Sequence, residues 1–175
     1  ADRAGIELVP ENKEKRTERD NLHAIMELAA AFYHDELEKN HEAQEYLKTR
    51  GLTAETIERW RIGFAPGPPK AGWRAASEAL QKSGYTADQL FKAGLVKGTD
   101  AGKAPYDVFR DRIMFPLFDT SGRVVAFSGR ILTKDSEAPK YVNSPETELY
   151  NKSELLFGYD RAKEGIRKLG FSMIV

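Results

Sequence analysis

The stretch PKYVNSPET, residues 139–147, sets Lys140, Tyr141 and Asn143 just ahead of a chain break at Ser144-Pro145. Lysine neutralises phosphate, a tyrosine ring stacks on a base, and asparagine bonds a sugar or base edge. Together they can hold a single polynucleotide strand. In an extended segment, alternation puts Lys140 and Val142 on one face and Tyr141 and Asn143 on the other. Tyr141 equally fits a core aromatic. Lys152, in NKSELLFG (151–158), adds a cation beyond a further turn. Arg130 closes GRVVAFSGR (122–130) behind Gly129, whose missing side chain lets another backbone or a phosphate come close. In FRDRIMFP (109–116), Arg110 and Arg112 are two apart and would share a face if the chain is extended. The alternative is ion pairing with Asp107 or Asp111 at a sheet edge, an arrangement of little energetic weight.

Groups able to make or break bonds are harder to find. Nucleotidyl transfer needs two or three carboxylates converging on a divalent metal. No compact Asp-x-Asp motif occurs, and Asp107, Asp111 and Asp119 are scattered between arginines. There is no phosphate-cradling P-loop and no GxSxG elbow. The chain has no cysteine, which excludes disulfides, cysteine zinc sites and thiol catalysis within it. His23, His34 and His41 sit in helical pattern and do not suggest a metal site.

The 175 residues suffice for one core, or a main unit with a small satellite. A hydrophobic share of 41% and a charged share of 31% describe an ordinary globular chain, and 27 basic against 27 acidic side chains leave no net field to steer it onto a polyanion. A nucleic-acid surface would therefore be local. No apolar run approaches the roughly 18 residues of a membrane span, so a cytoplasmic protein without a membrane partner is expected.

Residues 1–21 are dense in charge and read as a linker or arm. From Leu22, apolar residues recur at helical spacing as far as Leu37, with Asp20 or Asn21 available as a cap. HEAQEYLKTRG predicts a second helix that buries Ala43, Tyr46 and Leu47 and stops at Gly51, and Thr53 caps a third leading to Ile57 and Trp60. RIGFAPGPP breaks helix and predicts a short extended piece and a loop. Two more helices are expected at 73–82 and 86–93. After Pro105 the period falls to 2, and Ile113–Phe118 and Arg123–Leu132, joined by Asp119-Thr120-Ser121-Gly122, predict an antiparallel hairpin. Lys140–Asn143 is a further short strand, 159–169 a helix, and Phe171–Val175 an apolar strand that looks like the start of a following unit. The fold class expected is α+β, a helical lobe (22–95) followed by a small, mainly antiparallel sheet (106–158).

Taken in order, IGFAP, YDVFRDRIMFPLFDTSGRVVAFSGRIL and PKYVNSPETELYNKSELLFG resemble the bacterial DnaG-type DNA primases, in the amino-terminal part of the RNA polymerase core. The resemblance covers about residues 22–175. It implies a parent enzyme making short RNA primers on single-stranded DNA from nucleoside triphosphates, holding an RNA–DNA hybrid. Its Mg²⁺ or Mn²⁺ ligands would lie in a Toprim subdomain of which 159–175 is only the start, leaving the segment itself inactive. It also implies zinc in a preceding domain, and a replicative helicase and single-strand-binding protein as partners of other regions, in the nucleoid or replisome. Carried over by motif position, Arg130, Lys140, Tyr141, Asn143 and Lys152 line the template track, joined by Arg110, Arg112 and Arg50. Ser128 departs from the family, where a glycine pair usually precedes the arginine. Two other readings stay open: a non-catalytic replication scaffold, supported by the acidic excess before residue 50, and the primase half of a phage primase-helicase.

Overall fold

The structure, a computed structural model, describes residues 13–98, 104–133 and 137–172. Helix α1 (Lys13–Glu38) buries Leu22, Ile25, Met26, Ala29, Ala30, Tyr33 and Leu37, the predicted stripe. It begins at Lys13, so residues 13–21, expected as arm, are helix, and Asp20 and Asn21 lie within it rather than capping it. The physical reason is propensity. Lys, Glu and Arg lose little side-chain freedom in a helix, so the helix propagates outward from its buried part although residues 16–21 are exposed.

Helices α2 (His41–Thr49) and α3 (Ala54–Arg59) are capped by the side chains of Asn40 and Thr53, which accept from the amides of Ala43 and Thr56. Gly51, between them, takes φ +80°, the left-handed conformation its position after a helix requires. Strand β1 (Gly63–Ala65) follows, then α4 (Ala75–Lys82) and α5 (Ala87–Lys92), the latter with a reciprocal Thr86–Gln89 capping box. Two-residue strands β2 (Val96–Lys97) and β3 (Tyr106–Asp107) form a ribbon too short to announce itself in sequence. Asp107 is buried and accepts from the amides of Ala76 (2.8 Å) and Ser77 (3.1 Å), capping α4 from a distant strand.

The main sheet runs β1, β4 (Arg112–Phe118), β5 (Val124–Ile131), β6 (Tyr141–Asn143), antiparallel throughout. The predicted hairpin is β4–β5. Helix α6 (Tyr159–Leu169) stands where predicted, whereas the strand expected at Phe171–Val175 runs beyond the described residues.

Each face of the sheet carries its own core. Met114 and Phe127 pack with Phe109 against α1, α4 and α5. Phe64 and Ile113 pack with Leu37, Ala43, Leu47 and Ile62, under α2 and α3. Helix α1 reaches the sheet at Gly63, where a Cβ would lie 2.6 Å from the Tyr33 backbone. Only glycine fits there. Gly63→Ala should cost roughly 3 kcal/mol or more, through overpacking that neither backbone can relieve. Thermal denaturation checks this, and an unchanged midpoint would show that the helix can move off the sheet.

In the β4–β5 turn, Asp119 accepts from the amides of Ser121 and Arg123 and from the Arg123 guanidinium at 2.9 Å. Partial burial pushes its carboxyl up, but these bonds prevail and hold it below the usual carboxylate value. A lowered folded value stabilises the fold above the unfolded pKa, near 3.9, and the contribution is lost as pH falls through the folded value. Stability between pH 5 and pH 2 should thus fall less steeply in Asp119→Asn than in wild type, from a lower starting point; parallel curves would count against the turn's role.

Candidate nucleic-acid interface

Strand β6 closes one edge of the sheet, and pairing fixes which side chains share a face. Arg130 stands opposite Tyr141, and Ser128 opposite Asn143. These four side chains therefore share the face that α2 and α3 cover farther along, over β1 and β4. Beyond those helices, around Tyr141 and Asn143, the face is open. Tyr141 is 56% exposed, which decides against the core-aromatic alternative. Asn143 and Lys140 are exposed as well.

The cations and rings form a connected set. The Arg130 guanidinium carbon lies 4.8 Å from the centre of the Tyr46 ring and 6.0 Å from that of Tyr141. Arg50 lies 5.4 Å from the same Tyr46 ring and donates from Nε to its hydroxyl at 3.2 Å. The Lys140 ammonium lies 5.7 Å from the Tyr141 ring. Arg50, Tyr46, Arg130, Tyr141 and Lys140 thus follow one another in contact across the α2 end and the β5–β6 edge. Tyr46 is the member that sequence alone hid: its place on α2 read only as a core position.

The segment that carries Lys152 reaches this face by another route. Lys152 is exposed in a turn between Tyr150 and Leu155, which pack on Leu117 and Ala126. Ala126 points to the same face of β5 as Ser128 and Arg130, four residues away, a separation on the order of 13 Å along the strand. The Lys152 segment is further held where Phe157 stacks on Trp60 at 5.5 Å, with the Arg161 guanidinium carbon 4.4 Å from the Trp60 ring.

Arg110 and Arg112 do not share a face. Asp111, between them, has φ +51°, so the alternation of an extended chain is broken at that residue. Arg110 lies against the Trp73 and Tyr106 rings, at 4.6 and 4.9 Å, and donates to the Asp107 carbonyl. Arg112 is buried, its guanidinium bonded to the carbonyls of Gly129, Pro139 and Lys140 at 3.2, 2.8 and 3.3 Å. Neither forms an ion pair among the described residues, so the sheet-edge pairing alternative does not hold. Gly129 does admit a close neighbour, but a protein one: a Cβ there would lie 2.8 Å from the Phe109 ring and 3.0 Å from Arg112 Cδ.

The cations of this face differ from those that are held in ion pairs. Lys39, Lys70, Lys92, Arg61 and Arg123 each pair with a carboxylate. Arg50, Arg130, Lys140 and Lys152 make no ion pair among the described residues. Their charge is available. No group of three or more His, Asp or Glu side chains placed to hold a metal ion stands among the described residues.

These features define an α+β module whose open sheet edge presents alternating cations and rings. Residues 32–163 match the model of the DNA primase catalytic core, N-terminal domain, and the chain belongs to that family. The DNA primase of Haemophilus influenzae is 45% identical over 141 residues, 79% of this chain and 22% of its own length. The RNA polymerase domain of Mycobacterium tuberculosis primase DnaG superposes with a TM-score of 0.76 at 38% identity, covering 86% of this chain and 48% of that one. A DnaG primase catalytic domain bound to single-stranded DNA superposes with a TM-score of 0.70 at 36% identity, covering 86% and 45%. The chain spans about a quarter of the length of the curated relatives it matches.

If Tyr46 holds the Arg130 guanidinium, Tyr46→Leu should move the Arg130 side-chain protons from ring-shifted positions toward those of free arginine, and Tyr46→Phe should not. Proton–nitrogen NMR reads this directly. Tyr46 and Arg130 are both half-buried, so the lost cation–π contact should be worth about 0.5–2 kcal/mol. Identical Arg130 signals in all three proteins would dissolve the connected set.

Proposed function

We propose that the protein acts as a DNA primase, synthesising short RNA primers on single-stranded DNA from nucleoside triphosphates, and that this segment supplies the surface along which the template is held. The observation that carries the reading is the run of unpaired cations, Arg50, Arg130 and Lys140, interleaved with Tyr46 and the exposed Tyr141. Cations neutralise successive phosphates, Tyr141 offers a face for one base, and Asn143 has donor and acceptor groups for a sugar or base edge. Lys152 extends the track along the same sheet face. Arg110, farther off on its two rings, is assigned to the periphery of the track.

Chemistry requires more than this surface. The Mg²⁺ or Mn²⁺ that stabilises charge in phosphoryl transfer is assigned to ligands outside the described residues, and zinc to a separate domain. Helicase, single-strand-binding protein and the RNA–DNA hybrid are likewise assigned to the whole protein, working at a replisome in the cytoplasm. No helix among the described residues is long and apolar enough to cross a membrane.

Binding of a labelled oligothymidylate at several salt concentrations tests the track. Arg130→Ala with Lys140→Ala should flatten the logarithmic salt slope by about 1 to 1.5, at ~0.7 per lost phosphate contact. A slope equal to that of wild type would mean that these cations touch no phosphate, and the reading would fall.

A further inference from the structure

We propose that Arg112, with Ser144, is a positioning residue that clamps strand β6 in register, so that Lys140, Tyr141 and Asn143 act from a fixed backbone. For the ligand it would serve, this rests on the template-holding reading above.

Strand β6 is unusual for a functional element. It is three residues long, lies at the sheet edge, and buries none of its side chains completely. So short an edge strand has little reason of its own to hold one register. Val142 packs on the main core from its middle, and the rest of what holds it comes from both ends. At its start, Arg112 reaches across Gly129 and donates to the Pro139 and Lys140 carbonyls, while Ile131 N–H donates to Lys140 at 3.0 Å. At its end, the buried Ser144 hydroxyl accepts from Phe127 N–H at 2.9 Å, and Ser144 N–H donates to the Phe127 carbonyl at 2.9 Å.

The residue type is informative. Arg112 is 5% exposed and makes no ion pair among the described residues, an expensive placement for a cation. A methionine of similar length would fill the space more cheaply. Only a planar fork with several donors can reach three carbonyls on two strands at once. The bare backbone of Gly129 gives the arginine its path, since a Cβ there would meet Arg112 Cδ at 3.0 Å. The clamp sets Tyr141 opposite Arg130, the pairing on which the connected set of rings and cations depends.

Two measurements on Arg112→Met decide the matter. Hydrogen exchange should quicken several-fold across Tyr141–Asn143 and Ser128–Arg130 while α1 stays protected, with thermal stability equal to or above wild type. Ser144→Ala should quicken the same segment. Unchanged exchange in β6 would overturn the clamp. In oligothymidylate binding, Arg112→Met should weaken affinity by about tenfold in the wild-type background and less than about twofold in Lys140→Ala/Tyr141→Ala. Equal losses in both backgrounds would show that Arg112 meets the strand directly, and would overturn the positioning role. Should the wild-type chain fail to bind the oligonucleotide, the template reading falls, and the exchange experiment still decides the clamp. If Arg112→Met does not fold, Arg112→Lys, which keeps the charge without the fork, should give the same local quickening, and its absence would refute the role.

Discussion

The contact between the Tyr33 backbone and Gly63 is the constraint around which the molecule is arranged. Helix α1 approaches β1 so closely there that no side chain fits between them. The approach seats Tyr33 edge-to-face on Phe127 of β5, at 5.3 Å, and thereby commits one face of the sheet to α1. The opposite face must then be covered by what remains of the helical lobe. Helices α2 and α3 are short, and they cover β1 and β4 only as far as Phe64, Ile113 and Phe115. Tyr150 and Leu155 cover Leu117 and Ala126, and the part of that face around Tyr141 and Asn143 stays open. Tyr33 bears a cost for its place, since its buried hydroxyl finds no partner among the described residues.

An open edge beside an open face invites pairing with other chains. The sequence around β6 carries the usual defences: the strand is short, Pro139 and Pro145 flank it, and Lys140 charges its entry. The same features that discourage another strand leave the side chains free for a ligand. Holding such a strand falls to Arg112 and Ser144, which bond to backbone rather than to side chains. The sequence between the clamps is then free to carry chemistry instead of core.

Much of this was legible in the amino-acid order, and the failures have physical causes. The cap at Thr53, the glycine after α2, and the Asp119–Gly122 turn are local signals, and the elements they predict are present. The start of α1 was hidden because charged residues read alike in an arm and in an exposed helical turn. The alternation rule put Arg110 and Arg112 on one face, and it failed at Asp111, an aspartate with positive φ, which spacing does not reveal. Gly129 was legible as a point of close approach, but not as the path of a buried arginine. Tyr46 reads as core, because an amphipathic pattern reports that a ring is partly buried and not what stands on its exposed side.

The unpaired cations raise a last question of balance. Arg50, Arg130 and Lys140 stand near one another without a carboxylate among the described residues, and like charges so placed repel. Two features make the arrangement tolerable. Solvent screens the exposed groups, and the negative faces of Tyr46 and Tyr141 lie beside the positive heads. A carboxylate would neutralise the same charge more completely, but an anionic strand would then have to displace it. A ring stabilises the cation without competing for it, because its quadrupole and a phosphate can act on different sides of one guanidinium. Residual repulsion is relieved when a polyanion arrives, so the free surface retains a small instability that binding removes. That is the physical sense in which interleaved rings and cations, rather than salt bridges, suit a surface meant to be filled and emptied.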